Sequence, residues 1–222
     1  MTTRSILWLG GAPCSGKSTI AAALAHQFGL RVFALDAMLE SPAVFATAPP
    51  TSALPRLAAR VAESTWPSWF LQNAPALARE ELGLLSEVFY LALEAMEALP
   101  PGPPILAEGA AALPACVAEW AATSGDRGRA ARAPRAAWLI PEVSFHANCY
   151  DDRIWARTLV ARTADPERAY RNWRARDMLV ARFVRREAWR RGMHVLVVGA
   201  PAARTAPSDV VAWVAGALGL QR

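Results

Sequence analysis

Gly11-Ala12-Pro13-Cys14-Ser15-Gly16-Lys17-Ser18 sets two glycines, one amine and one hydroxyl at the spacing G-x-x-x-x-G-K-[ST]. Such glycines let the backbone curl so that successive N–H groups face phosphate oxygens, and the start of a following helix adds partial positive charge. At this spacing the Lys17 ammonium reaches β- and γ-phosphates and the Ser18 hydroxyl ligates Mg²⁺. Gly11, Ala12, Pro13, Cys14, Ser15, Gly16, Lys17, Ser18 and Thr19 are therefore the expected nucleotide-binding residues, with ATP and Mg²⁺ as cofactors. Cys14 sits near a helix start that can lower a thiol pKa, though a small residue tolerated in the loop is the commoner reading.

Two acids are placed to complement that loop. Arg31–Asp36 reads as a strand ending in Asp36, and Pro104–Gly109 as a strand ending in Glu108. In doubly wound sheets ligands gather at the carboxyl ends of strands, which sets Asp36 beside the γ-phosphate. A carboxylate there can orient and deprotonate an acceptor hydroxyl, or help hold Mg²⁺. The alternatives for Asp36 are a helix cap or a surface acid. Glu108 is a candidate for the Mg²⁺ shell or the substrate; its alternative is a buried acid satisfied by backbone N–H groups.

The elements that must carry these residues are legible too. Ser5–Leu9 reads as a buried strand ahead of the loop, and Thr19–His26 as the helix behind it. Ala136–Pro141 and His194–Gly199 add two further strands, and Ser208–Leu218 a helix with Ser208 and Asp209 at its start. Five strands alternating with helices predict an α/β fold built on a parallel sheet.

A chain of 222 residues with 54% hydrophobic and 19% charged residues is long and apolar enough for one sizeable core, which excludes disorder as the main state. No apolar run approaches 18 residues, so no membrane span is expected, and the start shows no signal-peptide pattern. The expectation is a soluble, cytoplasmic protein. Three scattered cysteines (Cys14, Cys116, Cys149) form no disulfide framework or zinc site, and no histidine spacing suggests a triad. The net charge of +5 is unevenly spread. Residues 61–120 are acidic, residues 141–192 are rich in arginine, and Lys17 is the only lysine in the chain. That single lysine excludes the N-K-x-D loop by which GTPases read guanine, and no switch, transporter or protein-kinase motif is present.

Gly11–Thr19, Asp36, the strand end Ile105–Gly109 and the arginine-rich stretch together resemble the P-loop small-molecule kinases. That group includes nucleoside and nucleotide kinases, shikimate- and gluconate-type kinases and chloramphenicol phosphotransferase, to which the N-terminus is similar in particular. The resemblance implies one P-loop domain over residues 1–222, with an acceptor-covering insertion at about 41–100 and a lid at about 150–176. It implies Asp36 as general base and lid arginines at the γ-phosphate, with Arg157, Arg162 and Arg176 the leading candidates. It also implies that Arg176-Asp177 opens the long helix after the lid. Within the insertion, residues 41–55 read as a loop and about Ala76–Leu99 as a helix with one apolar stripe. Trp66, Trp69 and Phe70 between them would wall an acceptor pocket or pack as core.

The expected activity is an ATP- and Mg²⁺-dependent phosphotransferase acting on a hydroxyl of a small molecule, a metabolite or an antibiotic. A nucleoside or nucleotide kinase is the second reading. A nucleic-acid-associated ATPase or polynucleotide kinase is the third, suggested by the pI near 9.7. The acidic insertion opposes docking of a nucleic acid, so the expected partner is the small acceptor alone, with a monomer or homodimer as the working state.

Overall fold

The protein is described here from a computed structural model covering residues 5–40, 54–123, 134–199 and 206–221. Five short apolar runs form one parallel sheet: β1 (Ile6–Gly11), β2 (Arg31–Ala34), β3 (Ile105–Glu108), β4 (Ala136–Pro141) and β5 (His194–Val198), in the order β2-β3-β1-β4-β5. The central strands β1, β3 and β4 are buried on both faces, which is why their sequences are continuously apolar rather than alternating. Register sets the strand ends level. Leu9 of β1 and Ala34 of β2 both lie opposite Glu108 of β3. Whatever follows β1, β2 and β3 therefore emerges along one edge.

Period-2 alternation divides the core in two. Leu7, Leu9, Leu106, Ala137 and Leu139 face α1 (Lys17–Phe28) and α8 (Pro207–Ala217). Trp8, Ile105, Ala107, Trp138 and Ile140 face the other layer, built from α3 (Ala74–Ala98), α4 (Pro114–Thr123) and α7 (Pro166–Arg190). Trp8 is the hub of that layer, with ring centroids 5.0 Å from Phe89 and 5.2 Å from Trp120. A third cluster stands off the sheet at the carboxyl edge. It joins α5 (Val143–Asp151), α6 (Ile154–Val160), the start of α7 and a 3-10 turn at Trp66–Leu71. The remaining helix, α2 (Leu54–Ala62), precedes that turn.

Local chemistry fixes the helix starts. Asn73 caps α3 by accepting from the Ala76 N–H, and Asp165 caps α7 by accepting from the Arg168 N–H, each with proline in the first turn. Several expectations change accordingly. The long helix opens at Pro166, so Arg176 and Asp177 lie in its interior rather than at its start. The C-terminal helix begins at Pro207 with Ala206 as its uncapped flank, which places Ser208 and Asp209 inside the first turn. Asp36 stands two residues beyond β2 and opens a 3-10 turn, Asp36–Glu40. Leu54 and Pro55 belong to α2, while the rest of the expected 41–55 loop lies outside the described residues. Among the described residues, no helix is long and apolar enough to cross a membrane.

Phe89 of α3 is fully buried against Trp8. Phe89→Ala should cost roughly 3–5 kcal/mol of stability through lost burial and the cavity left behind. Urea denaturation should show the midpoint falling at unchanged slope.

Candidate functional site

The loop after β1 is held by a close backbone approach. Gly11 has φ 137°, and a Cβ there would stand 2.0 Å from the Leu139 carbonyl oxygen, so no larger residue fits. Beyond it the chain takes left-handed conformations at Cys14 (φ 64°) and Gly16 (φ 79°), the latter directly ahead of α1. Alternating handedness of this kind turns successive N–H groups into one concavity suited to an anion. The Ser15 hydroxyl and the Lys17 ammonium each donate to the Ala12 carbonyl at 2.8 Å, closing the loop on itself. Burial pulls the Lys17 ammonium below its ordinary pKa, with Asp36 and Glu108 opposing that shift.

Glu108 and Asp36 complete the near side. The Ser18 hydroxyl donates to Glu108 Oε2 at 3.3 Å, pairing a hydroxyl and a carboxylate that fit a divalent cation or its water shell. Burial, with Asp36 nearby, raises the Glu108 carboxyl above the usual carboxylate range, against the pull of the Ser18 bond and Lys17. Asp36 Oδ1 accepts from the Ala110 N–H at 2.8 Å. This arrangement depends on Gly109 (φ 147°), where a Cβ would lie 2.7 Å from Asp36 Oδ1.

Loop residues Pro13–Thr19, with Asp36 and Ala110, line one side of a cavity of about 390 Å³. Tyr150, Arg153, Trp155, Trp173, Arg176 and Asp177 line the other. Arg176 is buried and bonded to Asp177 (2.6 Å) and to Glu81 of α3 (3.0 Å). Burial alone would lower its pKa, but the two carboxylates outweigh it and raise it. Tyr150 donates to Asp177, tying α5 into the same network. Arg153 differs. It pairs with no carboxylate among the described residues, and its guanidinium lies over the rings of Tyr150 (5.2 Å) and Trp155 (5.8 Å).

The structure thus brings Lys17, Ser18, Asp36, Glu108 and Arg176 together. Arg157 and Arg162 do not line the cavity. Arg157 is exposed, 3.7 Å from Glu167 and stacked on Tyr170, and Arg162 is exposed beyond α6. Nor do Trp66, Trp69 and Phe70 wall it: Phe70 stacks on Trp173 at 4.2 Å, and Trp69 borders a separate cavity of about 300 Å³ between α2 and α3. Arg153 belongs to the arginine-rich stretch legible in the sequence but not to its leading candidates, and Trp155 and Trp173 carry no motif that singles them out. The arginine spacing was visible, but the side chain facing the loop depends on α6 starting at Ile154, with Arg153 as its flank.

No family model and no curated protein matches the chain. Among solved structures, a gluconokinase from Sinorhizobium meliloti 1021 is 14% identical, with TM-score 0.46 over 97% of this chain and 91% of that one. A structure from Chloroflexus aurantiacus j-10-fl, described provisionally as a kinase, is also 14% identical, with TM-score 0.47 over 97% and 98%. Both are similarities of chain path and say nothing of what this chain binds.

Glu108 offers a test of the site's electrostatics. A carboxyl whose folded pKa lies above its unfolded value takes up a proton on folding, so stability falls as pH rises from 4.5 through the folded value. Glu108→Gln should therefore melt at higher temperature than the parent at neutral pH, with the gain vanishing toward pH 4. Melting curves across that range, without ligand, decide it.

Proposed function

We propose that the protein transfers the γ-phosphoryl group of ATP, with Mg²⁺, to a hydroxyl of a small acceptor molecule. The observation that carries this reading is the convergence of Lys17, Ser18 and Asp36 on one cavity beside a concave loop of backbone N–H groups, with Glu108 behind Ser18 as its hydrogen-bond partner. A buried lysine, an anion-shaped loop and a hydroxyl–carboxylate pair answer the charges of a metal-bound triphosphate. Asp36, exposed at the rim with one oxygen on Ala110, answers the acceptor.

Loop amides and Lys17 hold the phosphates, with Lys17 exchanging the Ala12 carbonyl for phosphate oxygen. Ser18 and Glu108 would hold Mg²⁺, which would supply charge neutralisation to the phosphates. Asp36 takes the acceptor hydroxyl proton as the oxygen bonds to the γ-phosphorus, and the β–γ bridging P–O bond breaks to release ADP. Arg153, with no carboxylate partner among the described residues, swings from its aromatic rings onto the phosphate oxygens. Arg176 stays locked in its ion pairs and shapes the far wall. Arg157 and Arg162 have no part in the reaction unless their segment moves inward.

Thermal stability with nucleotide is the first test, because a ligand at 100 times its Kd adds roughly 2.7 kcal/mol. ATP–Mg²⁺ should raise the melting temperature of the parent and not of Lys17→Ala. Phosphoadenosine phosphosulfate as the sole stabilising nucleotide would replace this reading with sulfuryl transfer. With an acceptor drawn from a panel of nucleosides, sugars and antibiotics, Asp36→Asn should lose about 10²–10⁴-fold in kcat at unchanged nucleotide affinity. Arg153→Ala should lose about 10³-fold, while Arg157→Ala stays near the parent. A drop at Arg157 without one at Arg153 would reverse the arginine assignment.

A further inference from the structure

Trp155 is 55% exposed, yet it lines the phosphate cavity on the side away from the loop. An indole left open on a cavity wall is contact area held ready for a ligand. Its neighbour Trp173 meets it at 5.6 Å and 68°, edge to face, and braces it. Trp173 is itself buried and stacked on Phe70, so its own flat face is taken. The Arg153 guanidinium lies over the Trp155 ring at 5.8 Å. Once Arg153 moves onto phosphate, that ring loses its cover.

Charge narrows what that ligand can be. The cations lining the cavity among the described residues are Lys17, Arg153 and Arg176. Lys17 and Arg153 are assigned to phosphate, and Arg176 is already paired with Asp177 (2.6 Å) and Glu81 (3.0 Å). Asp177 in turn has its two oxygens on Arg176 and Tyr150. What is left facing an acceptor is the Asp36 carboxylate, with one oxygen on the Ala110 N–H. A carboxylate or phosphate on the acceptor would meet that like charge with no cation to offset it.

We propose that the acceptor is an uncharged alcohol carrying a planar ring, which lies against Trp155 and presents its hydroxyl to Asp36. This names the substrate class within the phosphotransferase reading and rests on that reading. Trp155 then sets specificity and takes no part in bond-making. The transfer itself is balanced as before: the acceptor O–P bond forms as the β–γ bridging P–O bond breaks, Asp36 takes the hydroxyl proton, and ADP leaves. Because Arg153 covers the indole until phosphate draws it away, nucleotide binds first and opens the ring face to the acceptor.

The probes are matched pairs in which one member is neutral and the other anionic: 1-phenylethane-1,2-diol against mandelate, and uridine against uridine monophosphate. ADP release by the full chain with ATP–Mg²⁺ is measured for each, alongside melting with ATP–Mg²⁺ alone. At least one neutral member should be turned over, with kcat/KM about tenfold or more above its anionic partner. Trp155→Ala should raise the KM for that neutral member about tenfold, and Trp155→Phe should restore most of the loss. Trp155→Arg should narrow or reverse the preference within the pair. Three outcomes overturn the proposal while ATP–Mg²⁺ still stabilises the protein: preference for the anionic members, no ADP release with either neutral one, or a KM that Trp155→Ala leaves unmoved. A parent protein that ATP–Mg²⁺ does not stabilise overturns the phosphotransferase reading itself, and the acceptor class with it.

Discussion

The Arg176 guanidinium holds the upper half of the molecule together. Moving that charge out of water costs several kcal/mol, and only complete pairing offsets it. Glu81 on α3 and Asp177 on α7 supply the countercharge, while Tyr150 on α5 satisfies the second oxygen of Asp177. Helices α5 and α7 beside the cavity, and α3 behind them, are thus joined through one ionic centre rather than by apolar contact alone. The aromatic cluster, with Phe70 stacked on Trp173, packs around that centre, and the guanidinium lies 5.3 Å from the Phe70 ring and 6.0 Å from the Trp173 ring. Loss of either carboxylate would leave the arginine short of a partner and loosen the roof at its middle.

The lower half obeys a different constraint, one of space. β1 runs between β3 and β4 with Gly11 pressed against Leu139, and the turn that follows inherits its direction from that contact. Gly109 does the same for the neighbouring strand end, leaving room for Asp36 to reach the Ala110 amide. Two missing side chains thereby set where a hydroxyl, an ammonium and two carboxylates meet.

These differences explain how much was legible in the sequence. Strand ends were readable because each is a short apolar run stopped by an acid, proline or glycine, and the expected five-stranded parallel sheet is the one observed. The loop and its flanking acids were readable for the same reason: their chemistry is local. Across the roof, reading by analogy misplaced the start of α7, although Asp165-Pro166 carried a cap signal stronger than the Arg176-Asp177 pair. Arg153 could not be separated from Arg157, because helical phase, not residue type, decides which arginine faces the loop.

Lys17 is the only lysine in the sequence, and it is buried with its ammonium on a main-chain carbonyl. For any chemistry that reads ε-amines, this protein presents a single address, and that address is occupied by the protein itself. Acylating reagents and lysine-modifying enzymes meet a surface whose exposed basic side chains in the described regions are arginines and histidines. Labelling of the one ε-amine therefore becomes a clock for how often the phosphate loop lets go of its own backbone.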